Sequence, residues 1–498
     1  SLRFMFTFAM KTFGCQMNVA DTDEIARHLA MRGGIQVTQP EIADIIIVNT
    51  CVVREKAEDK AYSFIGALKP LKLKRTMNAR VSLDEPKVQP LYGQGDLQDL
   101  NDCKKTKDDV LIAVIGCLVP KSADFVRKKF PYVDVLIGTS EPKVVLAELE
   151  KAFEFPIAKS AYELTVLEGG RRGSALESCT ESAIGNADEL DDAPPLERFP
   201  SLMDVSRSAL VTVIRGCNHV CSFCIVPKVR GKEKSVPIRE VVRQVKAYRE
   251  TGFNEVTLLG QNILSYGSDY NFDPNFLDLV EAVLAQTDVP WLSYLTSHPY
   301  DLTDEIIERV VANPRVTPLL HLPVQAGSDR ILKLMRRKYT VKEYLEKVDK
   351  ARKARPDLFL TTDVIVGFPG ETREEFEETL RLVEKVRFND AFMFAFSPRK
   401  GTLAAKYDDP QSRQEKKLWL NELIQLQRQI SQEVNSKYIG QVLPAILEEK
   451  REDFAIARTA FNKPVELSFS AKSPGEFTTV KIEEVNVSSF KGVEVGSG

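Results

Sequence analysis

Cys217, Cys221 and Cys224 fall within one short stretch, Arg215-Gly-Cys-Asn-His-Val-Cys-Ser-Phe-Cys224. Spacings of three and then two residues put three thiolates on a single loop. That is one ligand short of a closed four-ligand metal site. The set suits an iron–sulfur cluster with one iron left open for something else to bind. A zinc site with His219 as fourth ligand is the rival reading, although structural zinc sites usually combine ligand pairs from separate turns. A disulfide fits poorly, because an odd trio cannot pair internally.

Three further cysteines each follow a strand-like run and a small residue. Cys15 follows Thr12-Phe-Gly, Cys51 follows Val48-Asn-Thr, and Cys117 follows Val114-Ile-Gly. Strand ends in a parallel sheet gather at one edge, so these three could hold a second cluster with an open iron. The rival reading is three buried structural cysteines. Cys103 and Cys179 lie in irregular stretches and are read as non-ligands.

The elements that must position these groups alternate between strand and helix. In residues 1–155, strands are expected at 4–12, 43–49, 110–116 and 133–137, and helices at 18–31, 55–68 and 121–129. The β-branched run Ala43-Asp-Ile-Ile-Ile-Val-Asn49 suits a buried parallel strand. Residues 70–109 read as an inserted surface loop. Residues 156–207 read as an acidic linker: Gly173 to Glu197 holds seven acidic residues and no basic one. In residues 208–434, strands at 210–214, 255–259, 291–295, 318–322, 360–366 and 391–396, with helices between them, predict a partial β/α barrel. The Cys217 loop then lies at the C-terminal strand end, where such folds place their sites. Residues 435–498 read as a small all-β barrel. The fold class is therefore α/β: an N-terminal parallel α/β domain, a central partial β/α barrel and a C-terminal β-barrel.

Composition sets the outer limits. With 498 residues, the chain has room for about three domains. Lys and Arg total 68 against 71 Asp and Glu, a net charge of −3, so bulk charge does not advertise a nucleic-acid partner. Eight cysteines in this length are not a disulfide scaffold and point to metal or redox work in a reducing compartment. No run approaches the ~20 apolar residues of a membrane span. The apolar start, Ser1 to Met10, is short, lacks a cleavage site and reads as a first strand. The chain begins with Ser, so a removed leader and an organelle stay open beside a cytoplasmic location.

Over nearly its whole length the chain resembles the radical S-adenosylmethionine methylthiotransferases. The resemblance rests on Thr12-Phe-Gly-Cys-Gln-Met-Asn18, Ala43 to Cys51, Val114-Ile-Gly-Cys117 and the Cys217 loop. Tyr438-Ile-Gly-Gln-Val442 and Arg458-Thr-Ala-Phe-Asn462 resemble a TRAM domain, an RNA-binding barrel. Leu258-Leu-Gly-Gln-Asn262, Ser265-Tyr-Gly267 and His321 to Asp329 are similar to the tRNA-modifying branch. The chain departs from the family at Ser235-Val-Pro237, where an arginine is usual.

The resemblance implies two 4Fe–4S clusters, S-adenosylmethionine as cofactor, and no side chain acting as acid or base. The cluster on Cys217, Cys221 and Cys224 would cleave S-adenosylmethionine to a radical, and that on Cys15, Cys51 and Cys117 would supply sulfur. The implied substrate is N6-isopentenyladenosine next to the tRNA anticodon, at position 37, converted to its 2-methylthio derivative. Alternatives are a different tRNA adenosine, a ribosomal protein, or a non-catalytic RNA- or protein-binding regulator.

Gly260, Gln261 and Asn262 end one strand, and Gly367, Gly370 and Glu371 follow another; both groups are expected to contact S-adenosylmethionine. The basic runs Lys228, Arg230, Lys232, Lys234 and Arg336, Arg337, Lys338 are expected on RNA phosphates, with Lys228, Arg230, Arg336 and Arg337 the named contacts; a solvated face is the alternative. Expected partners are the anticodon stem-loop and an electron donor such as a flavodoxin or ferredoxin, for a monomer off the membrane.

Overall fold

The computed structural model describes residues 6–51, 55–74, 110–139, 141–153 and 208–495. Two compact units divide between Leu202 and Met203.

The first unit is a parallel sheet of β1 (Phe6–Phe13), β2 (Gly34–Gln36), β3 (Ile45–Thr50), β4 (Leu111–Gly116) and β5 (Val135–Ile137), in the order β2-β1-β3-β4-β5. The β-branched runs alternate faces, as strand geometry requires. Ile45, Ile47, Ala113 and Ile115 pack with α1 (Gln16–Met31) and α5 (Pro142–Ala152), through Ile25, Leu29, Val145 and Leu149. Ile46, Val48, Ile112 and Val114 face the other way, toward Ile65 of α2 (Glu55–Ala67) and Val126 of α4 (Val119–Lys129). Each fully buried Ile or Val is worth roughly 1.5–3 kcal/mol. The strand order reverses between β1 and β3, and parallel sheets bind ligands outside such a point. Cys15 and Cys51 flank it.

The segment expected to be irregular from residue 70 begins with a helix, Lys69–Lys74. The rest of that insertion, the acidic linker, Cys103 and Cys179 lie outside the described residues.

The second unit holds β6 (Ala209–Thr212), β9 (Glu255–Leu259) and β10 (Trp291–Tyr294) in one parallel sheet. β11 (Leu319–His321), β12 (Phe359–Val366) and β13 (Asp390–Ala395) form another. A parallel bridge between Leu292 and Val316 joins them into an open six-stranded barrel. A short hairpin of β7 (Ile214–Arg215) and β8 (Lys234–Ser235) frames the cysteine loop.

Residues 442–494 form a closed barrel in the order β14 (Val442–Lys450), β15 (Ala455–Thr459), β16 (Pro464–Leu467), β18 (Phe490–Glu494) and β17 (Phe477–Val485). It docks on the first residues of the parallel strands. Arg458 pairs with Glu255 at 2.7 Å and Lys463 with Asp390 at 2.8 Å. Trp291 meets Phe477 edge-on at 5.0 Å, and Phe359 stacks on Phe461 at 4.7 Å. Leu319 joins the same cluster. The N-terminal end of the open barrel is thereby closed. The C-terminal end carries the Cys217 loop.

Candidate functional site

The Cys217 loop is fastened along its length. Gly216 has φ +82°, and a Cβ there would lie 2.1 Å from the Lys232 carbonyl oxygen, so a side chain cannot enter this turn. The Gly216 N–H donates to Gln261 Oε1, and Cys217 N–H donates to the Gly231 carbonyl at 3.2 Å. Ser222 N–H donates to the Met335 carbonyl at 3.0 Å, and its hydroxyl to that of Leu334 at 2.8 Å. Phe223 packs edge-on against Phe368.

Cys217, Cys221 and Cys224 lie close enough together that a thiolate at one disfavours ionisation at Cys217 and Cys224. Burial pushes Cys217 up to about 12, helped by the Glu233 carboxylate and then by the neighbouring thiols, and it pushes Cys224 up to about 11, helped by Cys221. Such thiols stay protonated at neutral pH until a metal's positive charge draws the protons off.

Arg337 is corrected by the structure. Expected on RNA, its guanidinium instead turns toward the loop. It donates to Cys221 Sγ at 3.5 Å, to the Pro323 carbonyl at 2.9 Å and to the Tyr339 hydroxyl at 2.9 Å. Its neighbour Arg336 is exposed, as is Lys228, while Arg230 is half-buried.

His219 is also committed. Its Nε2 lies 2.6 Å from Asp301 Oδ2, which also accepts from Asn262 Nδ2 at 2.7 Å. The ring stacks on His298 at 3.9 Å with the planes 3° apart. His219, His298 and Asp301 each bring a ligand atom within 4.8 Å of the others. Parallel stacked rings aim their lone pairs along parallel planes, so this trio converges poorly on one ion. His298 Nδ1 moreover accepts from Tyr300 N–H at 3.1 Å. Burial drives the His298 pKa far down and keeps the ring neutral. Its proton therefore sits on Nε2.

Four successive strand-end loops carry a buried polar atom without a hydrogen-bond partner among the described residues. They are Asn262 Oδ1, His298 Nε2, Gln325 Oε1 and Glu371 Oε1. Leaving such atoms unpaired costs ~1–3 kcal/mol each. A polar ligand lying across the C-terminal strand ends would satisfy them, as the amino, carboxylate and ribose groups of S-adenosylmethionine can. Of the other expected contacts, Gly260 fits closely against Ile214, and Gln261 serves the cysteine loop. Gly367 abuts Lys416, and the Gly370 carbonyl accepts from Arg330. Glu371 Oε2 accepts the Phe368 N–H at 3.1 Å, and burial lifts its carboxyl to about 7.

In the first unit the strand register does the gathering. Phe13 pairs with Thr50, and Thr50 with Gly116, across adjacent strands. Cys51 and Cys117 are the next residues of neighbouring strands, and Cys117 N–H donates to the Thr50 carbonyl at 3.1 Å. Cys15 N-caps α1 two residues beyond Phe13. Asn18 and Asn49, both wholly buried, brace the trio from beneath. Asn18 Nδ2 donates to Asn49 Oδ1 at 2.9 Å, Asn49 Nδ2 returns to the Asn18 carbonyl at 3.0 Å, and Cys15 Sγ donates to Asn18 Oδ1 at 3.2 Å. This brace, like the His219–Asp301 and Arg337–Cys221 contacts, was not foreseen from sequence; only the position of Asn18 one turn after Cys15 hints at it.

Residues 211–383 match the Radical SAM superfamily, and residues 7–82 match the Uncharacterized protein family UPF0004. The fold resembles that of a radical S-adenosylmethionine methyltransferase, TsrM, from Kitasatospora setae, with a TM-score of 0.50 and 12% identity over 80% of this chain and 75% of that one. The chain is 35% identical to the tRNA-2-methylthio-N(6)-dimethylallyladenosine synthase of Sulfurihydrogenibium sp. over 98% of its own length and 99% of the relative's. It is 35% identical to the synthase of the same name from Syntrophotalea carbinolica, over 99% of this chain and 100% of that one. This chain therefore belongs to the tRNA-2-methylthio-N(6)-dimethylallyladenosine synthase family.

Proposed function

We infer that this enzyme converts N6-isopentenyladenosine at tRNA position 37 into its 2-methylthio derivative. The observation that carries the reading is the pair of three-cysteine sets, each at the C-terminal ends of parallel strands and each one ligand short of closure. Cys217, Cys221 and Cys224 would hold one 4Fe–4S cluster and Cys15, Cys51 and Cys117 the other; with S-adenosylmethionine they would supply the radical chemistry, the sulfur and the methyl group.

The chain's own residues hold and shield. Gln261, Ser222 and Arg337 fix the Cys217 loop, and Asn18 and Asn49 fix the ends of β1 and β3. Asn262, His298, Gln325 and Glu371 offer polar atoms to the cofactor. Exposed Lys228 and Arg336 suit phosphates near that end. The C-terminal barrel sits at the other end of strands that run up to eight residues, roughly 25 Å. RNA touching both regions must be an extended arm, and the target base must be splayed from a single-stranded loop.

Among the described residues no helix is long and apolar enough to cross a membrane. A flavodoxin or ferredoxin as electron donor, a monomeric state and a cytoplasmic location complete the proposal.

The test is an anaerobic incubation of cluster-loaded protein with S-adenosylmethionine, a reductant and hypomodified tRNA, followed by nucleoside mass spectrometry. A 2-methylthio product on isopentenyladenosine is expected. Absence of any methylthio nucleoside would remove the reading.

A further inference from the structure

The inner wall formed by the last three strands of the open barrel holds groups that the cluster chemistry leaves unused. Alternate residues of β12 turn outward to the helices: Leu360, Val364 and Val366 are core. Thr361, Asp363 and Ile365 therefore face inward. The register places Phe392 beside Asp363 and Phe394 beside Ile365. Phe392 is 50% exposed and Phe394 42%. His321 of β11 lies beside Thr361. Its Nδ1 is 2.9 Å from Thr361 Oγ1, its Nε2 is 3.6 Å from Asp363 Oδ1, and its ring meets that of Phe392 edge-on at 5.8 Å. The two phenylalanines also belong to the lining of a hollow of ≈ 300 Å³ between β13 and the helix Arg413–Asn435, which contributes Ile424, Gln427 and Arg428.

Edge strands usually carry charge or proline, which deters pairing. This one carries Phe-Met-Phe. Two half-exposed aromatic rings add little to the fold, because their burial is incomplete. Beside a His–Asp pair they make a surface that is apolar on one side and offers a donor and an acceptor on the other. We propose that this wall binds the target nucleobase of the RNA: His321 and Asp363 meet the polar edge of the adenine, and Phe392 and Phe394 pack its N6 dimethylallyl group. The fit is chemical. An N6-alkylated adenine presents one N–H, ring-nitrogen acceptors and a branched five-carbon apolar tail. The inference rests on the functional reading above and names the residues that recognise its substrate.

The adenine of S-adenosylmethionine is the competing occupant, so the experiment has two arms. Full-length, cluster-loaded protein is titrated anaerobically with two anticodon stem-loop RNAs that differ only in the dimethylallyl group, and separately with S-adenosylmethionine. Wild type is expected to prefer the dimethylallyl RNA. F392A and F394A should each cut that preference about tenfold, the scale of a few apolar carbons in a pocket. Binding of the unmodified RNA and of S-adenosylmethionine should be unchanged. F392L keeps apolar volume and should keep most of the preference, which guards against loss through misfolding.

A preference that survives in F392A, F394A and their double variant overturns the inference, as does weakened S-adenosylmethionine binding with the RNA preference intact. Wild type that methylthiolates tRNA yet binds both RNAs equally also overturns it and leaves the functional reading standing. Wild type that yields no methylthio product removes the functional reading, and this inference with it.

Discussion

The guanidinium of Arg337 donates a hydrogen bond to the sulfur of Cys221 at 3.5 Å, across a sequence separation of 116 residues. Its other nitrogens are held by Pro323 and Tyr339, so it cannot turn away cheaply. A partly buried cation donating to a ligating sulfur stabilises the more negative, reduced form of a cluster. R337Q is expected to lower the midpoint potential of the Cys217 cluster, and R337K to lower it less. The measurement is a potentiometric titration followed by electron paramagnetic resonance, in full-length protein also carrying C15A, C51A and C117A. An unchanged midpoint in R337Q with full iron content would discard this role.

Asn18 and Asn49 form a closed pair beneath the other trio. Asn18→Ala leaves Asn49 Oδ1 buried without its donor, at a cost of ~1–3 kcal/mol to the first unit. It also frees the first turn of α1, which carries Cys15. Iron content is expected to fall toward half, with the signal of the Cys217 cluster retained. Full iron in N18A would show that the strand register alone gathers the three cysteines.

Much of this was legible in the sequence, for a physical reason. Buried parallel strands read as β-branched runs, and a cysteine directly after each run marks its C-terminal end. That logic located the α/β first unit and the six strands of the open barrel. It missed β2 and α5: β2 is three residues long, and α5 begins at Pro142 after a short strand. Arg337 was misread because Arg336-Arg337-Lys338 looks like a solvated basic run. Arg336 takes φ +59°, which breaks the helical course and sends the next side chain inward. Contacts such as His219 on His298 join loops after different strands, and no local pattern encodes them. The docking of the C-terminal barrel on the strand starts was equally hidden, because Glu255, Trp291 and Phe359 read as ordinary strand residues.

Two glycines of the first unit should respond oppositely to alanine. Gly116 has φ +98°, and a Cβ would lie 2.3 Å from the Thr50 carbonyl oxygen and 2.8 Å from Asn49 Oδ1. Gly116→Ala therefore strains the backbone and pushes on the Asn18–Asn49 pair, for an expected loss of ~2 kcal/mol or more. Gly66 lies in helix α2, and a Cβ there would meet only Phe130, at an ordinary 3.7 Å. Gly66→Ala should gain about 0.4–1 kcal/mol. Denaturant titration of the two variants checks the sign; equal effects would contradict the geometry.

Glu371 gives the second unit a stability term that depends on pH. Burial raises its carboxyl from 4.5 to about 7, and Oε1 has no partner while Oε2 accepts the Phe368 N–H. The unfolded chain ionises this group first, so its contribution is fully present below about 4.5 and is lost as pH rises through about 7. The span of the shift corresponds to a loss on the order of 3 kcal/mol. Glu371→Gln keeps the shape and the acceptor for Phe368 but never ionises. Urea unfolding followed by the fluorescence of Trp291 and Trp419, both in this unit, should show the variant and wild type alike near pH 4.5. By pH 8 the variant should be the more stable. If the two curves stay parallel across that window, Glu371 is already ionised in the folded protein and its buried Oε1 has found a cation or a donor.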